Sequence, residues 1–310
     1  MERRTPLDPV DALVFDRDGG ARFDPEVIKR LTADDATAVI AVHRGRTTGS
    51  DGRIDLWSPS HLGERLDEVA TLVYLGVVGG RPTLAAVLDE EAAARLEPEA
   101  RAWFGMREAL GLHATEYSLF VTAVAVGNWH ESNTFCPRCG AATTIEHAGW
   151  MRRCTGCGRE IFPRTDPAVI VRVLDDDGRI LLGSNALWEN NRYSLFAGFV
   201  EAGESFEEAA IREVREEAGV TIAGPRYLGS QPWPLPQSIM IGMEARAADP
   251  TTARADGTEI LDVRWFTREE IQAEGDDVLL PGSGSIARTI LEDWYGGPLD
   301  QPPPQRGPGA

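Results

Sequence analysis

Three glutamates stand close together near the middle of the second half of the chain. In Gly198 to Val220, GFVEAGESFEEAAIREVREEAGV, Glu213 and Glu217 are four residues apart and Glu216 lies beside them. On a helix all three carboxylates share one face. Like charges that close repel one another, which destabilises the helix unless something positive sits among them. Hard divalent cations such as Mg²⁺ or Mn²⁺ favour oxygen ligands of this kind. Arg212 can pair with a neighbouring carboxylate and orient it, Glu216 being one turn on. A solvated acidic face is the plain alternative, and the fixed spacing of Gly198, Glu204 and Arg212 to Val220 argues against it.

A second group is sulfur. The four cysteines, Cys136, Cys139, Cys154 and Cys157, form two C-x2-C pairs separated by fourteen residues, which is tetrahedral zinc spacing. No cysteine is left over, and four protein ligands leave a zinc ion no open position, so one structural Zn²⁺ is expected. A third stretch, Ser230 to Ser238 (SQPWPLPQS), combines Pro232, Pro234 and Pro236 with Trp233. Proline fixes φ and leaves little entropy to lose on binding. Trp233 offers a flat apolar face, and Gln231, Gln237 and Ser238 offer hydrogen bonds. Phe162 and Phe199 are further candidates for stacking on a base.

These groups need elements to hold them. The acidic helix is expected from about Ser205 to Ala218, with Phe206, Ala210, Val214 and Ala218 as its apolar stripe and Gly219 ending it. Ala168 to Leu174 and Ile180 to Gly183 read as a hairpin around Asp175 to Gly178, and strands follow at Tyr227 to Ser230, Ser238 to Ala245 and Leu261 to Phe266. Thr267 with Glu270 forms a capping box, and a last helix covers about Ser285 to Trp294. Upstream, Ala36 to His43, Ala70 to Val78 and Thr83 to Leu88 read as strands, while Glu90 to Leu110 and Thr115 to Trp129 have helical spacing. No internal repeat is visible. The fold class expected is α+β multidomain: a mixed N-terminal domain over 1–130, a zinc ribbon over 131–162, an α/β/α sandwich over 163–296, and a Pro- and Gly-rich disordered tail over 297–310.

The Gly198 to Val220 segment matches the Nudix box at every fixed position, and SQPWPLPQS closely resembles the SQPWPFPxS signature of NADH pyrophosphatases, with Leu235 where that family has Phe. Asn128-Trp129-His130 leading to Phe135-Cys136, and Phe162-Pro163-Arg164 before Asp166-Pro167-Ala168, resemble the family's entries to its zinc ribbon and catalytic domain. The resemblance implies the family's full architecture: an N-terminal NADH-pyrophosphatase-like domain over 1–130, the ribbon, and a Nudix domain. The resemblance implies hydrolysis of the pyrophosphate bond of NADH or NAD⁺ to NMN(H) and AMP, and allows removal of NAD caps from RNA 5′ ends. It implies two or more Mg²⁺ or Mn²⁺ ions, with Glu213, Glu217 and the backbone carbonyl of Ala197 as ligands, Glu216 as ligand or base, and Glu259 as a ligand outside the box. Glu204 would fix the loop–helix geometry, while Arg107 and Ala287 match positions that reach or line the substrate pocket. A homodimer is a family expectation. ADP-ribose or dinucleoside polyphosphates are the alternative substrates, and a nucleotide-binding module without catalysis is the alternative class.

Composition bounds these readings. At 310 residues two or three domains are expected, and 42% hydrophobic content supports packed cores. A net charge of −18 disfavours a long nucleic-acid groove but not a local, metal-bridged phosphate site. With no apolar signal core and no run of membrane-spanning length, a cytoplasmic protein without membrane association is expected.

Overall fold

The computed structural model describes residues 6–8, 13–63, 70–96, 103–188, 191–273 and 278–299. They form two compact units. One is built on Val10–Thr165 with Trp233–Gln237, the other on Asp166–Pro232 and Ser238–Ala310 with Thr5–Pro9.

In the first unit, strands β1 (Ala38–His43), β2 (Arg46–Ser50), β3 (Arg53–Ile54), β4 (Ala70–Val78) and β5 (Arg81–Leu88) lie in the order β3-β2-β1-β5-β4, and β6 (Trp103–Phe104) pairs with β2. Strand β1 runs parallel to β5, from Ala38 opposite Thr83 to Val42 opposite Val87. Alternation sorts the side chains between two cores. Ile40, Val42, Val73, Leu75 and Ala85 meet the long helix Ala114–Ser132 through Leu119, Phe120, Ala123 and Val124. Val39, Ala41, Leu72, Leu84 and Ala86 meet Val27, Leu31, Ala92 and Ala93 on the other face. The zinc ribbon, β7 (Thr143–Glu146), β8 (Met151–Cys154) and β9 (Glu160–Ile161), belongs to the same unit. It is docked by Trp150 Nε1 donating to the Tyr74 carbonyl at 2.6 Å and by His130 Nε2 bonded to the Gly149 carbonyl at 2.8 Å. Burial pushes the His130 imidazole down to about 4, so it stays neutral in this contact.

In the second unit, β10 (Asp166–Leu174), β11 (Ile180–Asn185), β12 (Phe196–Phe199), β13 (Ile222–Trp233), β14 (Ser238–Ala247) and β15 (Ile260–Phe266) form a sheet in the order β13-β14-β10-β11-β15, with β12 paired to β10. Val169, Val171 and Val173 face the acidic helix Phe206–Ala218 through Ala209, Ala210, Val214 and Ala218. Ile170, Ile180 and Leu182 face the last helix, Ile286–Tyr295, through Ile286, Ile290 and Leu291. That is the α/β/α sandwich expected. Each fully buried aliphatic side chain contributes about 1.5–3 kcal/mol, so this two-sided stripe along β10 is a main support of the site above it.

Four expectations differ from the structure. Phe206 is 42% exposed and Ala209 takes its place in the helix stripe: Phe206 is the first residue after the Ser205 cap and lies outside the core that Ala209, Ala210, Val214 and Ala218 share. The helix expected over Glu90 to Leu110 is a helix at Glu90–Leu96, the short strand β6 and a one-turn helix at Met106–Ala109. There the backbones of Trp103 and Phe104 pair with Thr48 and Thr47, and the Gly105 amide is held by Glu108 Oε2 at 3.2 Å. Strand β13 is twelve residues long rather than four. The fold also continues past 296: Leu299 is buried in the last helix's core and its carbonyl accepts from Arg288 Nη2. Residues 300–310 of the expected tail lie outside the described residues.

Candidate active site

The acidic helix is fixed at both ends. Ser205 Oγ accepts from the Glu208 amide at 3.2 Å while the Glu208 carboxylate accepts from the Ser205 amide at 2.7 Å. Gly219 closes the other end at φ +68°, donating to the Arg215 carbonyl at 3.1 Å. Strand β12 pairs antiparallel with β10, setting Ala197 opposite Ile170 and Gly198 opposite Val169, and so carries Ala197 and Gly198 to the helix. Gly198 is required by space: a Cβ there would stand 2.0 Å from Glu213 Oε1.

Arg212 uses all five of its N–H groups at this junction. Nε and Nη2 grip the two oxygens of Glu204 at 2.6 and 2.9 Å, Nη2 also donates to the Phe199 carbonyl at 2.9 Å, and Nη1 donates to Glu213 Oε1 at 2.8 Å and Glu216 Oε2 at 3.1 Å. Glu204 in turn accepts from the Glu201 amide at 2.9 Å. The Arg212 guanidinium, with that amide, holds the Glu204 carboxylate down at about 2, so the loop stays clamped to the helix throughout the ordinary pH range. Arg212 is therefore a clasp between loop and helix.

Glu217 has the opposite environment. It is 6% exposed, and burial, then the charges of Glu213, Glu259 and Asp256, push its carboxyl up to about 8, against one hydrogen bond from the Ala197 backbone. Glu213 is raised as well, chiefly by burial, with Arg212 opposing. Glu216 is exposed, its side chain at 61%. Glu259, exposed in the turn just before β15, is close enough to raise Glu213 and Glu217, and Asn185 Nδ2 reaches its Oε1 at 3.5 Å. Among the described residues, no three of these carboxylates lie close enough together to hold one ion directly; the four cysteines do. The acidic set still fits a hard cation that keeps part of its water shell: its donors are all oxygen, and among the described residues the charges that act on buried Glu217 are those of Glu213, Glu259 and Asp256, all negative.

A pH consequence follows. Glu217 titrates at about 8 in the fold against 4.5 as an ordinary glutamate, so the folded chain holds this proton more tightly than the unfolded one. The stability this proton lends is complete below about 4.5 and is lost as pH rises through about 8. In the absence of divalent cations, Tm should fall across that range by more than in Glu217→Gln, and Mg²⁺ should restore more of it at the high end. Parallel Tm–pH curves for the two proteins would contradict the assignment.

The cysteines are brought together: Cys139 and Cys154 sulfurs are 3.4 Å apart, Cys136 and Cys157 3.8 Å, and all four lie within 4.8 Å. A tetrahedral ion with Zn–S bonds of about 2.3 Å needs sulfurs about 3.8 Å apart. Amides point at the sulfurs, Cys157 N to Cys154 Sγ at 3.3 Å and Gly156 N at 3.4 Å, and with the Cys157 amide foremost they bring the Cys154 thiol down to about 6. Gly140 and Gly158, at φ +74° and +71°, make the tight knuckle turns.

The remaining candidates divide. Phe162 and Phe199 are 53% and 58% exposed, so both rings are free of the cores, and Leu235 is 47% exposed. Asn128 Nδ2 holds the Pro234 carbonyl at 2.7 Å and the Pro236 carbonyl at 3.2 Å, while Trp233 packs on the first unit's core. Pro232 is exposed, Pro234 buried, Pro236 exposed and Gln237 half-buried, and the Leu235–Pro236 peptide is cis. Ser238 is buried as the first residue of β14. Gln231 departs from its expected role. Its amide donates to the Gly284 carbonyl at 2.9 Å and accepts from the Ile286 amide at 2.7 Å, so the side chain pins the start of the last helix. Ala287 is buried in that first turn, and Arg107 is exposed on its one-turn helix. Sequence reasoning missed Asn128 as the brace of the proline loop, and Asp256 beside Glu259; the Asp256-Gly257 turn signal was the available clue.

Known proteins bear on both units. Residues 164–282 match the family described as NUDIX domain, residues 131–162 the NADH pyrophosphatase zinc ribbon domain, and residues 31–129 the NADH pyrophosphatase-like rudimentary NUDIX domain. A protein from Mycobacterium bovis (strain BCG / Pasteur 1173P2) named NAD-capped RNA hydrolase NudC is 42% identical over 265 residues, covering 81% of this chain and 83% of that one. The human NAD-capped RNA hydrolase NUDT12 is 38% identical over 199 residues, covering 60% of this chain and 43% of that one. A solved NUDIX hydrolase from Nitrosomonas europaea is 23% identical with a TM-score of 0.43, covering 54% of this chain and 95% of that one, too loose a match to carry an argument. The rudimentary domain corrects the reading that the chain has no internal repeat. Its sheet places β4, β5, β1, β2 and β6 as β13, β14, β10, β11 and β15 are placed in the catalytic sheet, including the central parallel pair. Between β3 and β4 it has the four-residue helix Pro59–Leu62, followed by residues outside those described, and no counterpart of the acidic motif.

Proposed function

The chain belongs to the NADH pyrophosphatase family of Nudix hydrolases, and from that premise we propose that it hydrolyses the pyrophosphate bond of NADH and NAD⁺, giving NMN(H) and AMP, and removes the NAD cap from RNA 5′ ends. The observation that carries the reading is the carboxylate cluster at the acidic helix, with Glu217 raised to about 8 by its burial and by the charges of Glu213, Glu259 and Asp256. Divalent cations bound there would neutralise pyrophosphate charge and make water nucleophilic.

In this reading Glu213, Glu217, the Ala197 carbonyl and Glu259 hold the Mg²⁺ or Mn²⁺, and exposed Glu216 takes the proton of the attacking water. Arg212 positions Glu213 and Glu216 rather than touching substrate, since its donors are already spent. Exposed Phe199, on the strand that leads into the acidic helix, stacks on a base. The ribbon carries a structural Zn²⁺, for which the four clustered sulfurs are the support.

Removal of the NAD cap is supported by the name of the relatives at 42% identity. Only the cap need enter the site, so the net charge of −18 does not oppose it. Free NADH, NAD⁺, ADP-ribose and NAD-capped RNA assayed side by side test the assignment. A higher kcat/KM for ADP-ribose than for the three NAD substrates would overturn it. No helix among the described residues is long and apolar enough to cross a membrane. A cytoplasmic homodimer is the remaining part of the proposal, and sedimentation of the purified chain decides its assembly state.

A further inference from the structure

Glu259 stands in a turn with little regular structure of its own, yet a metal ligand must be held within a fraction of an ångström. The turn is organised by one carboxylate oxygen. Asp256 Oδ1 accepts the amides of Thr258 at 2.6 Å, Glu259 at 2.9 Å and Ile260 at 3.1 Å, while Gly257, at φ +78°, donates to the Ile260 carbonyl at 3.0 Å. The Glu259 backbone is also tied outward, its carbonyl accepting from the Ala186 amide at 2.8 Å, and Asn185 Nδ2 reaches its carboxylate. The pairing of Asn185 with Ile260 seats this turn at the end of β11, next to the irregularity between Ser184 and Asn185.

We infer that Asp256 is a positioning residue for the divalent-cation site: through the three amides it gathers, it sets the Glu259 carboxylate at the angle from which it completes the ligand set of Glu213 and Glu217. The inference rests on the assignment of Glu259 as a ligand. Asp256 also places a second negative charge near the cluster, which shows as part of what raises Glu217. Neither role requires Asp256 to touch the cation or the substrate.

The two contributions separate by substitution. Asp256→Ala removes the acceptor and the charge, whereas Asp256→Asn keeps one oxygen for the amides and removes only the charge. The experiment measures Mg²⁺ binding to the full chain by calorimetry, its Tm, and NADH hydrolysis against Mg²⁺ concentration, with Glu259→Gln and the Asp256→Ala/Glu259→Gln double variant in parallel. Loss of a group that orients a ligand typically lowers metal affinity about 10- to 100-fold. Asp256→Ala is therefore expected to need more than about tenfold higher Mg²⁺ for half-maximal rate and to recover most of kcat at saturation. Asp256→Asn should fall between it and the parent chain. The double variant should lose far less than the two single effects multiplied together, because the positioning role acts through the one ligand that Glu259→Gln has already removed. An unchanged Mg²⁺ dependence in Glu259→Gln would overturn the underlying ligand assignment. A normal Glu259→Gln effect with Asp256→Ala unaffected, or affected only in Tm, would overturn the inference itself.

Discussion

Glu217→Gln is expected to lower kcat for NADH at saturating Mg²⁺ by at least about a thousandfold, equivalent to about 4 kcal/mol of lost transition-state stabilisation, the scale of a metal ion's contribution to phosphoryl chemistry. The substitution keeps the size of a side chain that is 6% exposed, so the fold should survive. It should even gain. The parent carboxyl is held up at about 8 by burial and by Glu213, Glu259 and Asp256, so removing its charge relieves repulsion in the absence of cation. The same variant is thus expected to be inactive and, at alkaline pH without divalent cations, at least as heat-stable as the parent. A variant that loses stability and activity together would point to a structural role instead.

Gly198→Ala is the second large effect, and it acts without altering any acidic group. The added methyl would stand 2.0 Å from Glu213 Oε1, 2.1 Å from Cδ and 2.4 Å from Oε2, closer than any real contact. Glycine is needed here for clearance, since Gly198 lies in strand β12 opposite Val169. The side chain of Glu213 is the movable partner, so it should swing away and break its 2.8 Å contact with Arg212 Nη1. Misplacement of a reacting constellation by about 1 Å costs about a hundredfold in rate, which is the fall expected in kcat/KM. Crystallography or Mg²⁺ titration of this variant checks the cause: Glu213 should be displaced and cation affinity weakened. Wild-type activity would mean that the Glu213 carboxylate is not held where Gly198 makes room for it.

How far the sequence could be read depended on whether a feature was local. The acidic helix was legible to within a residue because its determinants, the Ser205–Glu208 capping box and Gly219, are short-range. Its stripe was misread at Phe206 because periodicity alone does not say where a first-turn side chain points. The zinc knuckles followed from spacing, and their geometry from Gly140 and Gly158. Gln231 was misplaced because its partners, Gly284 and Ile286, lie more than fifty residues on. Asn128 as the brace of the proline loop was illegible for the same reason, at a separation above a hundred residues. The N-terminal domain was read as the family's own, but its likeness to the Nudix domain of the same chain was hidden, because that likeness resides in sheet order and in the parallel β1–β5 pair, which many apolar sequences can satisfy. What sequence identity records most strongly is chemistry, and that domain has none of the acidic motif.

The most direct test of the central claim is chromatography of the products formed from NADH by the full chain with Mg²⁺ or Mn²⁺, with Glu217→Gln as control. Equal amounts of NMNH and AMP, dependent on the cation and missing with the variant, are the result predicted. Cleavage to nicotinamide and an ADP-ribose product, or turnover that persists in Glu217→Gln, would contradict it.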